Sequence, residues 1–171
     1  MRKAYLFVDG YNIIGDWPEL KALSDSDLES ARDLLIEKMA EYQAYTGTSV
    51  TIVFDAHMVP GTGKKYRHYD LDIVFTKEKE TADERIEKLV IERKRVDRQI
   101  YVATSDFVEQ RVIFASGAYR KSARELRTEV EQIEKGIQQS VAETKQKKAK
   151  TKLPIDEEMA EIFEKWRRGK R

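Results

Sequence analysis

Three short apolar runs in this chain each end on an acid: "AYLFVD" closing at Asp9, "SVTIVFD" at Asp55 and "QIYVATSD" at Asp106. Between them lie stretches with helical periodicity. Apolar runs of strand length, alternating with helices, bury both faces of a parallel sheet. The expected fold is therefore α/β, with a central, mostly parallel sheet of four to five strands flanked by helices and a C-terminal helical extension. A buried strand has no need of a carboxylate at its tip, so the three endings raise a second question, whether they are caps or a site.

The periodicity supplies the intervening elements. Leu28, Ala31, Leu35, Met39 and Tyr42 recur at steps of three and four, and Gly47 stops that helix. "LDIVFT" reads as a third strand, and "ETADERIEKLVIERKR" as a helix with Ile86, Leu89 and Val90 on one face. "FVEQRVIFASG" reads as a short helix after the fourth strand, and "AYRKS" as a small added strand. Ser122 and Glu125 form a capping box that opens a long helix striped by Leu126, Val130, Ile133, Ile137 and Val141. The run "KQKKAKTKLP" interrupts the stripe. This predicts a domain over 1–144, a lysine-rich linker over 145–154 and a terminal amphipathic, basic helix over 155–171.

Charge adds one hint. Residues 141–171 carry ten Lys/Arg against six Asp/Glu, a local +4, so the rest of the chain is near −3 within a total of +1. A basic tail on an acidic body suits an anionic partner, although a solvated helix explains it equally well. The charged fraction of 37% fits long solvated helices, because the apolar residues stay periodic. There is no cysteine, which removes disulfides and thiolate metal sites and suits a reducing compartment. The basic N-terminus precedes an apolar run too short for a signal peptide, and no run reaches membrane-spanning length. A cytoplasmic location without membrane attachment is expected.

In a parallel sheet the strand ends share one edge, where such folds place their ligands. Asp9, Asp55 and Asp106 would meet there, joined by Asp83 from the first turn of the helix after the third strand. Each acid has a structural reading. First helical turns favour acids by about 0.3–1 kcal/mol, Thr81 with Glu84 is itself a capping box, and Asp9 or Asp55 can open a turn. Together the four are less easily explained, because clustered carboxylates repel. An all-oxygen set without Cys or His suits a hard ion, Mg²⁺ or Mn²⁺. Such an ion with phosphate as its substrate ligand favours metal-assisted phosphodiester hydrolysis. Asn12 is placed to orient a ligand or an acid, and Thr104 and Ser105 to donate to a carboxylate or phosphate, with helix capping as their plain role.

The loop "HMVPGTGKKYRHYD" interleaves Lys64, Lys65 and Arg67 with Tyr66, the mixture that contacts RNA backbone and bases. Its "GTGKK" lacks the full spacing of a phosphate loop. Arg120 and Lys121 extend the candidate RNA-binding set, and Trp17 reads as core or loop packing.

"FVDGYNII", "VFDA", "TADERIE" and "ATSD", in that order and spacing, resemble the NYN branch of the PIN-like nucleases, and among them the YacP-type proteins, over essentially the whole chain. The resemblance implies a PIN-like fold and metal-dependent endoribonuclease activity, with mRNA cut on the ribosome. It places the metal-binding and catalytic acids at Asp9, Asp83 and Asp106, with Asn12 and Asp55 beside them. Two other functions compete. A PIN-like module that binds RNA or the ribosome without cutting has no use for four acids facing phosphate. An aspartyl-phosphate phosphatase wants a second Asp two residues after the first, and position 11 is Tyr.

Overall fold

The computed structural model describes residues 3–56, 65–68, 70–106, 111, 113, 115 and 117–167, with 65–68 and 147–167 described by their backbone alone. Eleven elements follow in order: β1 (Lys3–Asp9), α1 (Gly10–Asp16), α2 (Pro18–Ser26), α3 (Leu28–Thr46), β2 (Ser49–Phe54), β3 (Lys65–His68), β4 (Leu71–Phe75), α4 (Ala82–Arg93), β5 (Arg98–Ala103), β6 (Tyr119–Lys121) and α5 (Ala123–Arg167). The expected short helix at 107–117 falls largely outside the described residues.

The strands form one sheet in the order β3-β4-β2-β1-β5-β6. Five of them run parallel, and β3 pairs antiparallel with β4. The α/β fold with a mostly parallel sheet is thus present, with one strand more than the expected four or five. β3 is the addition. It lies within the segment read as a loop, because "KYRH" has no apolar run; its register with β4, from Lys65↔Val74 to His68↔Leu71, is set by backbone pairing.

Alternation along the strands divides the core. Tyr5, Phe7, Val53, Val74, Ile100 and Val102 pack with Ala82, Ile86, Leu89 and Val90 of α4. Leu6, Val8, Ile52 and Phe54 have the opposite parity and are equally buried. On that side the Tyr11 ring of α1 lies 5.0 Å from the Phe54 ring. Helices therefore cover both faces, as a parallel sheet requires.

The caps follow the sequence signals. Asp27 accepts from Ser30 N to open α3, and Gly47 closes it at φ 74°. Thr81 accepts from Glu84 N at the start of α4, and Ser122 from Glu125 N at the start of α5. The short helices α1 and α2 carry no legible stripe, being too short to show one. They meet at Trp17, whose extended backbone and the following Pro18 separate them. Trp17 is fully buried, and its indole Nε1 donates to the Ala123 carbonyl at 2.8 Å.

The chain divides into two compact units, Met1–Glu131 and Gln132–Arg171. The first holds the sheet and α1–α4. In the second, α5 continues as helix to Arg167, so residues 145–154, expected as a lysine-rich linker, are helical. Lys and Ala are good helix formers, and losing the apolar stripe does not end a helix. The backbone stays helical even at Pro154, where one intrahelical bond is lost. Among the described residues no helix is long and apolar enough to cross a membrane.

Candidate active site

The parallel register carries the acids to one edge. Asp9 is the last residue of β1 and stands opposite Val53 of β2. Val8 stands opposite Ala103 of β5. Asp55 follows directly after β2, and Thr104, Ser105 and Asp106 after β5. Asp83 lies in the first turn of α4, which enters from this edge to cover β1, β2 and β5. The fold thus brings Asp9, Asp55, Asp83 and Asp106 to the same end of the sheet.

Asp9 occupies the N-cap position of α1, yet its side chain makes no capping bond to that helix. It is largely buried, at 9% exposure. The next residue is glycine for a steric reason: a Cβ on Gly10 would lie 2.4 Å from the Phe54 ring. This close approach lets α1 begin directly behind the acid.

The β1 and β5 exits are tied together. Asn12 Oδ1 accepts from Ser105 N at 2.8 Å and from Ser105 Oγ at 3.0 Å. The fully buried Thr104 accepts from Asp106 N through its Oγ1 at 3.1 Å, and its own N–H donates to the Lys121 carbonyl. Asn12, Thr104 and Ser105 therefore hold the edge in place.

Two residues that the sequence did not single out complete the frame. Thr76 is fully buried. Its N–H donates to the Phe54 carbonyl at 3.0 Å, and its Oγ1 accepts from Ala56 N at 2.8 Å, flanking Asp55. Glu80, 6% exposed, accepts from Arg85 Nε and Lys88 Nζ at 2.8 Å each, and from Lys77 N at 3.3 Å. Burial pushes its carboxyl up, but the bonds from Lys88, Arg85 and the Lys77 amide outweigh burial and hold it at about 2. Glu80 thereby fixes the turn that delivers Asp83. The only signal in the sequence was an acid five and eight residues ahead of two cations, a common spacing around helix starts.

Among the described residues no three acidic or histidine side chains stand close enough to hold a metal ion by themselves. The donor chemistry still fits a hard ion of the Mg²⁺ type, which is commonly held by one or two carboxylates and completed by water and substrate phosphate.

The expected RNA-binding residues are spread. Lys64 lies outside the described residues. Lys65, Tyr66 and Arg67 lie in β3, at the far edge of the sheet from β5 and β6. Arg120 and Lys121 belong to β6, and Lys121 is already engaged: its Nζ lies 2.9 Å from Glu129 and 3.4 Å from the Tyr42 hydroxyl. Burial lowers the Lys121 pKa, but the hydrogen bond and charge of Glu129, with Tyr42, more than reverse this and leave it raised. Burial, reinforced by the bond to Glu129, pushes the Tyr42 phenol up. Lys121 therefore serves first to join β6, α3 and α5.

Comparison with known proteins identifies the family and the fold. A family model described as the YacP-like NYN domain matches residues 6–168. The curated "Uncharacterized protein YacP" of Bacillus subtilis (strain 168) is 55% identical over 164 residues, covering 96% of both chains. The crystal structure of Rae1 (YacP) from Bacillus subtilis superimposes with a TM-score of 0.76 at 55% identity, covering 96% of this chain and 95% of that one. A point mutant of Rae1 (YacP) gives a TM-score of 0.74 at 54% identity, covering 82% of each chain. With its nuclease-type fold and the acids of its strand ends on one edge, this chain belongs to the YacP-like NYN domain family.

Proposed function

We propose that the chain is an endoribonuclease that hydrolyses RNA phosphodiester bonds with Mg²⁺ or Mn²⁺, acting on mRNA at the ribosome in the cytoplasm. One observation carries the reading: acids from four separate segments, Asp9, Asp55, Asp83 and Asp106, converge on one sheet edge of a nuclease-type fold. The ribosomal context rests on the family resemblance.

The residues divide the work by position. Asp9, Asp83 and Asp106 are the acids from which one or two carboxylates would hold the ion, with water and the substrate phosphate completing its ligands. When bound, a divalent cation supplies charge neutralisation at the phosphate and a more acidic water. A carboxylate at the edge accepts the proton of the attacking water. The Asn12–Ser105 bonds tie the β1 and β5 exits together, which holds the backbone that carries Asp9 and Asp106 in place. Thr104 fixes the backbone of Asp106, and Glu80 the turn before Asp83.

A module that binds RNA without cutting it is the second reading, favoured by the lack of a ready three-ligand metal group among the described residues. One experiment separates the two. The chain is incubated with mRNA, with and without translating ribosomes, in Mg²⁺ or in chelator, and the new ends are mapped. Internal cuts that require the metal and Asp83 support the nuclease. Binding without any cut under all conditions leaves the binding module.

A further inference from the structure

We propose that Tyr119, backed by Tyr101, is a base-stacking subsite that receives a nucleobase of single-stranded RNA beside the acidic edge. This rests on the RNA reading above and names a contact that reading lacks.

Tyr119 opens β6, the outermost strand on its side of the sheet, and stands in register with Tyr101 of β5. Their ring centroids are 5.6 Å apart and their planes 34° from parallel. Tyr119 is 51% exposed. An aromatic ring left half in water gains little for the fold, while its free face can stack on any base.

The position distinguishes it from other exposed apolar residues. Among the described residues these are Tyr45, Ile91, Val96 and Val141. Tyr45 is near the end of α3 and Ile91 near the end of α4, while Val96 precedes β5; all three sit where chains enter the opposite edge of the parallel sheet. Tyr119 instead lies in the strand that runs toward the acids. Two residues on, the Lys121 carbonyl accepts from Thr104 N, and Thr104 Oγ1 accepts from Asp106 N. Two hydrogen bonds thus separate the platform strand from an edge acid.

The local charge suits a polyanion. Tyr119–Arg124 carries no acid; Lys121 is paired with Glu129, so Arg120 and the exposed Arg124 supply the cationic charge. Lys121 Nζ lies 5.0 Å from the Tyr101 ring centroid, on which its bonds to Glu129 and Tyr42 hold it. The lysine thereby stiffens the inner ring of the pair. A strand acid edge repels RNA by itself, so a flanking aromatic and cationic step supplies the attraction that brings a phosphate to it.

The test uses the full chain carrying Asp83→Asn, so that bound RNA stays intact. A fluorescent single-stranded RNA of about 12 nucleotides is titrated, with one abasic nucleotide moved along its length. Tyr119→Ala should weaken binding about 5- to 100-fold, while Tyr119→Phe and Tyr119→Trp stay within about twofold. One abasic position should reproduce the loss and add nothing to Tyr119→Ala. Equal binding by Tyr119→Ala, an abasic profile unaltered by that substitution, or no RNA binding by the parent chain overturns the subsite. Cleavage by the native chain is scored separately: RNA held through Tyr119 but never cut defeats the nuclease reading and leaves the subsite standing.

Discussion

Asn12 and Ser105 are 93 residues apart in sequence, and two hydrogen bonds join them, from Ser105 N at 2.8 Å and from Ser105 Oγ at 3.0 Å to the same side-chain oxygen. One amide oxygen thus locks the exits of β1 and β5, each of which carries an acid of the candidate site. Asn12→Ala leaves the Ser105 amide without its partner, at a cost of about 1–3 kcal/mol. The expected outcome is a lower melting temperature together with reduced cleavage. Asn12→Asp keeps an acceptor but adds a carboxylate to the acidic edge, so it should recover only part of the stability. Equal melting curves for Asn12→Ala and the native chain would show that the bond is not holding the edge.

Asp9→Asn, Asp83→Asn and Asp106→Asn should each lower cleavage by at least about 100-fold, the scale of losing a positioned acid or base. Removing one of several like charges should leave the metal-free melting temperature unchanged or raised. Asp55→Asn is expected to be equal or milder. Cleavage assays with circular dichroism check both halves, and three variants cutting at native rates would show that the edge is not the site.

Activity should require Mg²⁺ or Mn²⁺ and disappear in chelator. The free protein should bind the ion weakly, because no three-ligand group is assembled among the described residues, and binding should tighten when RNA is present. Calorimetric titration of metal with and without uncleavable RNA measures this, and full activity in metal-stripped buffer contradicts it.

Glu80 predicts a pH dependence. Its folded carboxyl sits at about 2 against an ordinary value of 4.5. A lowered acid binds its proton more readily in the unfolded chain, so its stabilisation is complete above pH 4.5 and falls away as pH drops toward 2. The shift corresponds to at most about 3 kcal/mol, less here because Lys88 is mostly in water. Urea unfolding at neutral pH and at pH 3 should show this loss in the native chain, and Glu80→Gln should be weaker at neutral pH and lose less on acidification. Parallel curves for the two proteins would remove Glu80 from the account.

Gly10→Ala would press a methyl group into the Phe54 ring, which is itself fully buried. Alanine's better helix propensity contributes at most about 1 kcal/mol, whereas overpacking costs about 1–3 kcal/mol. Net destabilisation is expected, with reduced cleavage because Asp9 is the adjacent residue. A variant as stable as the native chain would mean that Phe54 yields.

Much of the fold was legible because its signals are local. The apolar runs at Lys3–Asp9 and Ser49–Phe54, the stripe from Leu28 to Tyr42, and the caps at Thr81, Ser122 and Gly47 depend on residues a few positions apart. The shared edge of Asp9, Asp55, Asp83 and Asp106 followed from one rule about parallel strands. What the tertiary structure alone decided involves distant partners. β3 exists because β4 offers it a backbone ladder, although "KYRH" looks like loop. Lys121 reads as a surface cation until Glu129 and Tyr42 claim it. Thr76 and Glu80 are ordinary residues in sequence and become parts of the frame only where burial and converging donors meet. Local propensity reads the elements, but the pairing of polar groups is settled only when packing removes water and each buried group must find a partner.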